Sequence, residues 1–292
     1  MKTHNQFGAR LLTFYGAQLP YHRGKGYIHE RLRKIIGIYI NRDMEVQRGH
    51  ARWILNPSDS VEADLFWLGV KDMWETYHTK RMVKSGDVIL DVGSNFGYYS
   101  VFISAYLKHH CIVHAFEPNP PVFERLLTNI CLNDLTGVVY AHRVALGDAK
   151  AMMSIRNKPC NSGSGSASLV FDGVDSNVEV ITLDGFVQKH GLSRCDYIKV
   201  DIEGFEERFL RGARATISRF RPLLMIELCP PVLSRQGTSA KAIMDIFHAS
   251  NYRLYFPCRK TLQPLTTPPQ GEDVLNAFAI PDEKVQGVVG KG

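Results

Sequence analysis

From about Val88 the chain alternates short apolar runs with amphipathic stretches of helical period. Val88–Val92 is apolar except for Asp91, and Gly93 follows; Cys111–Phe116 is a second run, ending in Glu117-Pro118. Between them Gly97–Leu107 has helical character. Pro120–Leu132 puts Val122, Phe123, Leu126, Leu127 and Ile130 on one helical face, with proline in the first turn. Val138–His142 and Val178–Leu183 read as further strands. Tyr197–Val200 ends in Asp201, and Leu223–Ile226 ends in Glu227. Phe205, Phe209, Leu210, Ala213 and Ile217 form the apolar stripe of the helix between them, Ser239–Ser250 is helical, and Tyr252–Phe256 and Leu275–Ile280 read as closing strands. Strands in alternation with helices predict a mostly parallel sheet with helices on both faces, the α/β class.

Upstream the pattern is less regular. Lys34–Asn41 and Glu45–Leu55 predict a hairpin turning at Asn41-Arg42-Asp43, and Val61–Tyr77 predicts a helix carrying Trp67 and Trp74. The small polar run Asn161–Ser168 predicts a loop. The expected organisation is an accessory segment over 1–83, a main domain over 84–283 and a tail over 284–292.

Composition changes this picture in two places. Residues 1–52 hold ten Lys and Arg against three Asp and Glu, while the rest of the 292-residue chain is near neutrality. That arm is either a solvated basic surface or a contact for an anionic partner. The six cysteines, at 111, 131, 160, 195, 229 and 258, form no C-x-x-C pair and several sit in apolar runs. They read as buried free thiols of a reducing compartment rather than a disulfide frame or zinc site. No run reaches the roughly 18 apolar residues of a membrane span, and polar residues interrupt the N-terminal apolar stretch. The expected location is the cytoplasm.

The chemistry should gather where parallel strands end, because open α/β sheets bind ligands at that rim. Glu117, Asp201 and Glu227 all sit at strand ends, and Asp91 lies just before the glycine turn. Gly93 and Gly97 bracket that turn and permit a positive φ and close backbone approach. Their G-x-x-x-G spacing lacks the glycine that admits a pyrophosphate in the dinucleotide fingerprint, so a nucleoside cofactor without phosphate fits better than NAD. Glu117, one βαβ step later, is placed to accept hydrogen bonds from two ribose hydroxyls. In K-V-D-I-E-G, Lys199 and Asp201 share one strand face, Glu203 lies past the strand end, and Gly204 turns the chain into the next helix.

Taken together the motifs resemble the FkbM-type family of S-adenosylmethionine-dependent methyltransferases. The matching pieces are D-V-G-S-N-F-G-Y-Y-S (Asp91–Ser100), F-E-P-N-P (Phe116–Pro120), V-A-L-G-D (Val144–Asp148) and I-T-L-D-G-F (Ile181–Phe186). D-Y-I-K-V-D-I-E-G-F-E (Asp196–Glu206), L-R-G-A (Leu210–Ala213) and P-L-L-M-I-E (Pro222–Glu227) follow in the family's order. The resemblance spans roughly Lys84 to Pro281. It implies a Rossmann-like class I fold, a seven-stranded sheet with one antiparallel strand near the edge. Asp91, Gly93, Asn95 and Gly97, with Ser94 and Phe96 between them, would then line the methionine end of S-adenosylmethionine. Glu117 and Pro118 would lie at the ribose, and Asn119, Val144 and Ala145 at the adenine. The implied acceptor is a small molecule or glycan with a free hydroxyl, selected by residues 1–83.

Methyl transfer to oxygen needs alignment, water exclusion and a base. Asp201, Glu203 and Glu227 are the candidate bases, and Lys199 is a candidate for orienting substrate or lowering a carboxylate's pKa. No metal is expected, although Asp201, Glu203 and Glu227 form the set that would hold a divalent cation. Two rival classes stay open. One is a nucleic-acid methyltransferase using the basic arm, which the position of Asn119-Pro120-Pro121 after the second strand argues against. The other is a non-catalytic cofactor binder or NAD enzyme. The sequence sets no oligomeric state.

Overall fold

The computed structural model describes residues 11–12, 14–18, 27–28, 31–32, 40–157, 167–170 and 177–289. They fall into two compact units, one ahead of Trp74 and one from Trp74 onward.

In the first unit, β1 (Met44–Arg48) and β2 (Ala51–Leu55) pair antiparallel around Gly49-His50. The hairpin therefore turns inside the stretch expected as a single strand, not at Asn41-Arg42-Asp43; the expected partner strand lies outside the described residues apart from Ile40 and Asn41. Gly49 takes the positive φ (58°) that a two-residue turn demands. Trp53 is buried, and its indole N–H donates to the Arg48 carbonyl. The helix expected over Val61–Tyr77 is two helices, α1 (Ala63–Leu68) and α2 (Met73–Met82), so Trp67 and Trp74 belong to different elements. Gly69, left-handed at φ 80°, ends α1 with its N–H on the Leu65 carbonyl.

The second unit is built on an eight-stranded sheet. Its order is β13 (Thr261–Pro264), β12 (Tyr252–Cys258), β14 (Leu275–Pro281), β11 (Leu223–Leu228), β10 (Tyr197–Val200), β3 (Val88–Val92), β4 (Ile112–Phe116) and β5 (Val139–His142). The five strands from β11 to β5 run parallel, and β14 lies antiparallel between β11 and β12. This is the Rossmann-like sheet with its antiparallel strand near the edge. The short β13 joins by a hairpin and adds an eighth strand, one whose mostly exposed residues leave little apolar signal. Every residue of β3 and β10 is buried, which is why these strands read as continuous apolar runs.

The helices follow the sheet. Tyr98–Tyr106 (α3) follows β3, and Pro120–Leu132 (α4) follows β4, burying Val122, Leu126, Asn129 and Ile130. Leu183–His190 (α5) is capped by Thr182, whose Oγ1 accepts from the Gly185 N–H at 3.1 Å. The apolar stripe from Phe205 to Ile217 is divided at Ala213 between α6 (Glu206–Gly212) and α7 (Arg214–Phe220), and all five stripe residues are buried. A second sheet was read only in its strand at Val178–Leu183, which is β9: the order is β6 (Ala145–Leu146), β9 (Asn177–Ile181), β7 (Ala151–Asn157) and β8 (Ala167–Val170). The expected loop Asn161–Ser168 lies outside the described residues except Ala167 and Ser168, which open β8.

The thiols depart from expectation. Cys111 and Cys195 are buried and free, but Cys131 and Cys258 are exposed and Cys229 is half-exposed. Cys131 stands at the end of α4 on its solvent side, so an apolar neighbourhood in sequence did not mean burial. Cys160 lies outside the described residues. Among the described residues no helix is long and apolar enough to cross a membrane.

Candidate cofactor and transfer site

Strand order reverses between β3 and β10: β4 and β5 continue on one side of β3, and β10 and β11 on the other. The turn after β3 therefore opens into the crevice where such sheets take ligands. Gly93, at φ 74°, passes so close to β10 that an added Cβ would lie 1.8 Å from the Asp201 carbonyl oxygen. Gly97, at φ 93°, caps α3, and a Cβ there would meet Leu126 at 2.7 Å. Asn95 between them is left-handed at φ 50°. The N–H groups of Gly93 and Ser94 both donate to the Phe116 carbonyl at 3.0 Å, which ties the turn to the end of β4.

Glu117 joins the turn to that strand end. Its Oε2 accepts from the Asn95 N–H and its Oε1 from the Asn119 N–H, each at 2.9 Å, while its own N–H donates to the His142 carbonyl at 3.1 Å. Only 7% of Glu117 is exposed. Burial pushes its carboxyl up to about 7, and the two N–H donors and Lys199 pull in the other direction. The structure thus brings Gly93, Ser94, Asn95, Phe96, Gly97, Glu117, Pro118 and Asn119 into one bonded unit. Phe96 is buried, its carbonyl taking the Asn129 side-chain amide at 2.9 Å. Val144 and Ala145 stand apart from these bonds, beyond β5 where β6 begins, with Ala145 paired to Val180.

Asp91 has a structural task. Its Oδ2 accepts from both the N–H (3.0 Å) and the hydroxyl (2.7 Å) of Ser100 in the first turn of α3. Its Oδ1 is buried without a hydrogen bond and lies 3.7 Å from the Lys199 ammonium. Lys199 is in register with Asp91 on the neighbouring strand and is 5% exposed. Its ammonium donates to the Gly93 carbonyl (2.7 Å), reaches Asp201 at 3.5 Å and lies over the Tyr99 ring at 5.7 Å. Lys199 is a buried counter-charge clamping the turn between β3 and β10, not a hand extended to solvent.

The far side of the crevice is acidic. Asp201 is about one-third exposed at the end of β10, and Glu203 follows it in a left-handed conformation at φ 53°. Glu227, near the end of β11, is pushed up to about 9, first by burial and then by the charges of Asp201, Glu206 and Glu203, against which Lys199 pulls it down. Asp201, Glu203 and Glu227 are thus brought into one electrostatic neighbourhood. Among the described residues, no three His, Cys, Asp or Glu side chains are arranged to hold a metal ion.

Glu206 is the residue sequence reasoning missed. It is 1% exposed in the first turn of α6, and its Oε1 accepts from the N–H groups of Ile202 (3.1 Å) and Gly204 (3.2 Å). Its other oxygen, Oε2, is buried without a hydrogen bond, and burial pushes the carboxyl up to about 7. The available signal was an acid two residues beyond Gly204. It reads equally as a favourable helix-start charge, and only the fold shows the burial.

This geometry suits a nucleoside cofactor with a positively charged or hydrogen-bonding head. A glycine turn packed tightly against Asp201 and Leu126, the buried Ser94 Oγ without a hydrogen bond, and a paired-acceptor carboxylate at Glu117 all lie on one rim. The profile of the methyltransferase FkbM domain matches residues 91–254, more than half of the chain, and begins at Asp91 itself. The chain belongs to the FkbM methyltransferase family.

Relatives within reach of that family support the match. Hexuronic acid methyltransferase AglP of Haloferax volcanii is 31% identical over 126 residues, covering 43% of this chain and 49% of that protein. The 31-O-demethyl-FK506 methyltransferase FkbM of Streptomyces tacrolimicus is 27% identical over 159 residues, 44% of this chain and 60% of that protein. The 2-O-methyltransferase NoeI of Sinorhizobium fredii is 28% identical over 190 residues, 60% of this chain and 76% of that protein. The chain therefore spans only about half to three-fifths of the length of the first two.

Proposed function

We propose that the protein is an S-adenosylmethionine-dependent O-methyltransferase whose acceptor is a hydroxyl of a sugar, glycan or secondary metabolite. The observation that carries this reading is Glu117, buried at the switch point and bonded by both oxygens to the backbone of the turn that Gly93 and Gly97 shape. When bound, S-adenosylmethionine supplies an electrophilic methyl group on a sulfonium. Glu117 would hold the ribose hydroxyls, with Pro118 beside it and Asn119, Val144 and Ala145 toward the adenine. Gly93, Ser94, Asn95, Phe96 and Gly97, backed by Asp91, would line the methionine end.

On the acceptor side Asp201 is the group we assign to take the hydroxyl proton. It is the carboxylate at the strand end that remains open to solvent while paired with Lys199. A positioned base of this kind contributes roughly 10²–10⁴-fold. Glu203 and Glu227 flank the same space. Relatives whose names specify a hexuronic acid, a 31-O-demethylated FK506 and a 2-O position support oxygen as the target. We place acceptor selection in residues 1–83 and the catalytic domain over 84–283, and infer a cytoplasmic location from the free, partly exposed thiols.

The test has two parts. Calorimetry with S-adenosylhomocysteine against NAD should show binding of the first only. Labelled S-adenosylmethionine should then deliver its methyl group to a hydroxyl-bearing glycan or metabolite pool. NAD binding without S-adenosylhomocysteine binding, or methyl transfer to nucleic acid in preference to hydroxyl acceptors, would overturn the reading.

A further inference from the structure

The second unit holds a cavity at the rim opposite the glycine turn, where the parallel strands begin. Its volume is about 640 Å³, in the range of small-molecule sites, and all of its lining belongs to that unit. Asp87 leads into β3, Asp196 leads into β10 and Leu223 opens β11. The far ends of those three strands carry the glycine turn, Asp201 and Glu227, so the two sites share strands but no residue.

The acids at this cavity are already answered. Asp196 accepts two bonds from the Arg194 guanidinium, at 2.7 and 2.8 Å, and one from the Val88 N–H at 2.8 Å. Asp87 accepts from the Lys84 N–H at 2.7 Å and pairs with Arg194 at 3.4 Å. Glu283 accepts two bonds from Arg221, at 3.0 and 2.9 Å. Neither arginine is part of the lining. A cationic ligand would therefore find these carboxylates occupied.

The cations of the lining are committed differently. Lys84 is exposed and makes no ion pair among the described residues; its charge reaches Asp87 only after that of Arg194. The Lys284 ammonium donates to the Arg221 carbonyl, a neutral acceptor. Arg81 adds a third positive charge, with its guanidinium over the Tyr77 ring at 5.6 Å. His78, only 3% exposed, donates from Nε2 to the Arg259 carbonyl at 2.9 Å and forms a polar but neutral stretch of wall. The remaining surface is apolar, from Met82, Leu223, Leu262 and Val288. Surplus positive charge beside an apolar wall, in a recess half-shielded from water, selects for an ion with a hydrophobic part.

We propose that this cavity is a second ligand site, for a small organic anion: a carboxylate or phosphate monoester whose charged end meets Lys84 and Lys284 and whose apolar body lies against Met82, Leu223, Leu262 and Val288. It goes beyond the methyltransferase reading and does not depend on it. Carboxylate and phosphate ester share the chemistry that this lining recognises, a charged oxygen cluster on an apolar stem.

The experiment is calorimetry on the full chain with hexanoate and hexyl phosphate as probes, and with hexanol and inorganic phosphate as the stem and the charge alone. At least one of the two amphiphilic anions should bind about 10-fold or more tightly than either control, and more weakly as salt is raised. The tighter of the two tells a carboxylate site from a phosphate-ester site. Lys84→Ala removes an exposed side chain, so it should leave the melting temperature unchanged while weakening the tighter anion about 5-fold or more. Lys284→Ala should weaken it similarly. Saturating S-adenosylhomocysteine should leave the anion's affinity unchanged, because the cofactor turn lies at the other rim. Failure of both anions to bind at millimolar concentration overturns the proposal. So does hexanol binding as tightly as the anions, an affinity that neither lysine variant alters, or displacement by S-adenosylhomocysteine. If S-adenosylhomocysteine itself does not bind, the methyltransferase reading fails while the lysine variants still decide this site.

Discussion

The two sides of the crevice use the same side chain in opposite ways. Glu117 and Glu227 both end parallel strands and are both raised by burial. Glu117 then receives two backbone N–H bonds and is pulled down by the charge of Lys199, which together leave it at about 7. Glu227 is also pulled down by Lys199, but it meets three further acids and is left near 9. At neutral pH the first carboxyl is poised to accept hydrogen bonds, and the second carries a proton. Position at a strand end therefore does not set a carboxyl's role; the donors and charges around it do.

The most damaging change to this arrangement should be Gly93→Ala. Its Cβ would enter the Asp201 backbone, which the Asp201 N–H ties to the Val92 carbonyl of β3, so the turn and the β3–β10 contact cannot both survive. Thermal unfolding should show a loss of about 10 °C or more. A shift of only a degree or two would mean that the turn relaxes and that the close approach is incidental.

Next in size is Asp201→Asn. Turnover of labelled S-adenosylmethionine should fall about 100-fold or more while cofactor affinity stays within a few-fold, because the cofactor residues lie across the crevice. Full residual activity would remove Asp201 as the proton acceptor. Exhaustive chelation should leave turnover unchanged; a loss restored by added divalent cation would transfer the role of these acids to metal binding.

The smallest effect expected is on stability against pH. Glu227 titrates near 4.5 when exposed and near 9 in the fold, so its raised value favours the folded state at acid pH and loses that contribution as pH rises from 4.5 toward 9. Glu227→Gln should therefore melt a few degrees higher than the wild type at pH 8 and converge with it near pH 4.5. At the other end of the sheet, burial lowers His114 and His142 from 6.5 to about 4, and their rings meet at 3.1 Å between Nδ1 and Nε2. Their contribution has the opposite sign: it is complete above 6.5 and lost as pH falls toward 4. A wild-type stability that rises steadily from pH 5 to 9 would contradict the Glu227 assignment.

Much of this was legible in the chain because the parallel strands are buried on both faces and bounded by glycine and acid. Val88–Val92, Pro120–Leu132 and Tyr197–Val200 were read at their observed bounds. The carboxyl groups at Glu117, Asp201 and Glu227 were found from their place at strand ends. Three kinds of feature were not legible. The four-stranded sheet was read only at β9, because β6 is two residues long and the other strands lack a long apolar run. The break at Gly69 falls inside the stretch read as one helix, because the left-handed cap that ends α1 there is set by backbone conformation rather than by the apolar pattern. Glu206 and Lys199 carry charges whose burial depends on strands and turns distant in sequence, so no local pattern distinguishes them from surface residues. Lys199 was read as orienting substrate or lowering a carboxylate's pKa, and its committed partners, Gly93, Asp91 and Asp201, came from the sheet order alone.

The measurement closest to the central claim is the affinity of S-adenosylhomocysteine across pH 5 to 9, in the wild type and in Glu117→Gln. If Glu117 accepts the ribose hydroxyls as a carboxylate, wild-type affinity rises with pH through about 7, with a proton released on binding below that value. Glu117→Gln should bind about 10- to 100-fold more weakly at pH 8 and lose the pH dependence. Equal affinity in the two proteins, flat across the range, would contradict the account.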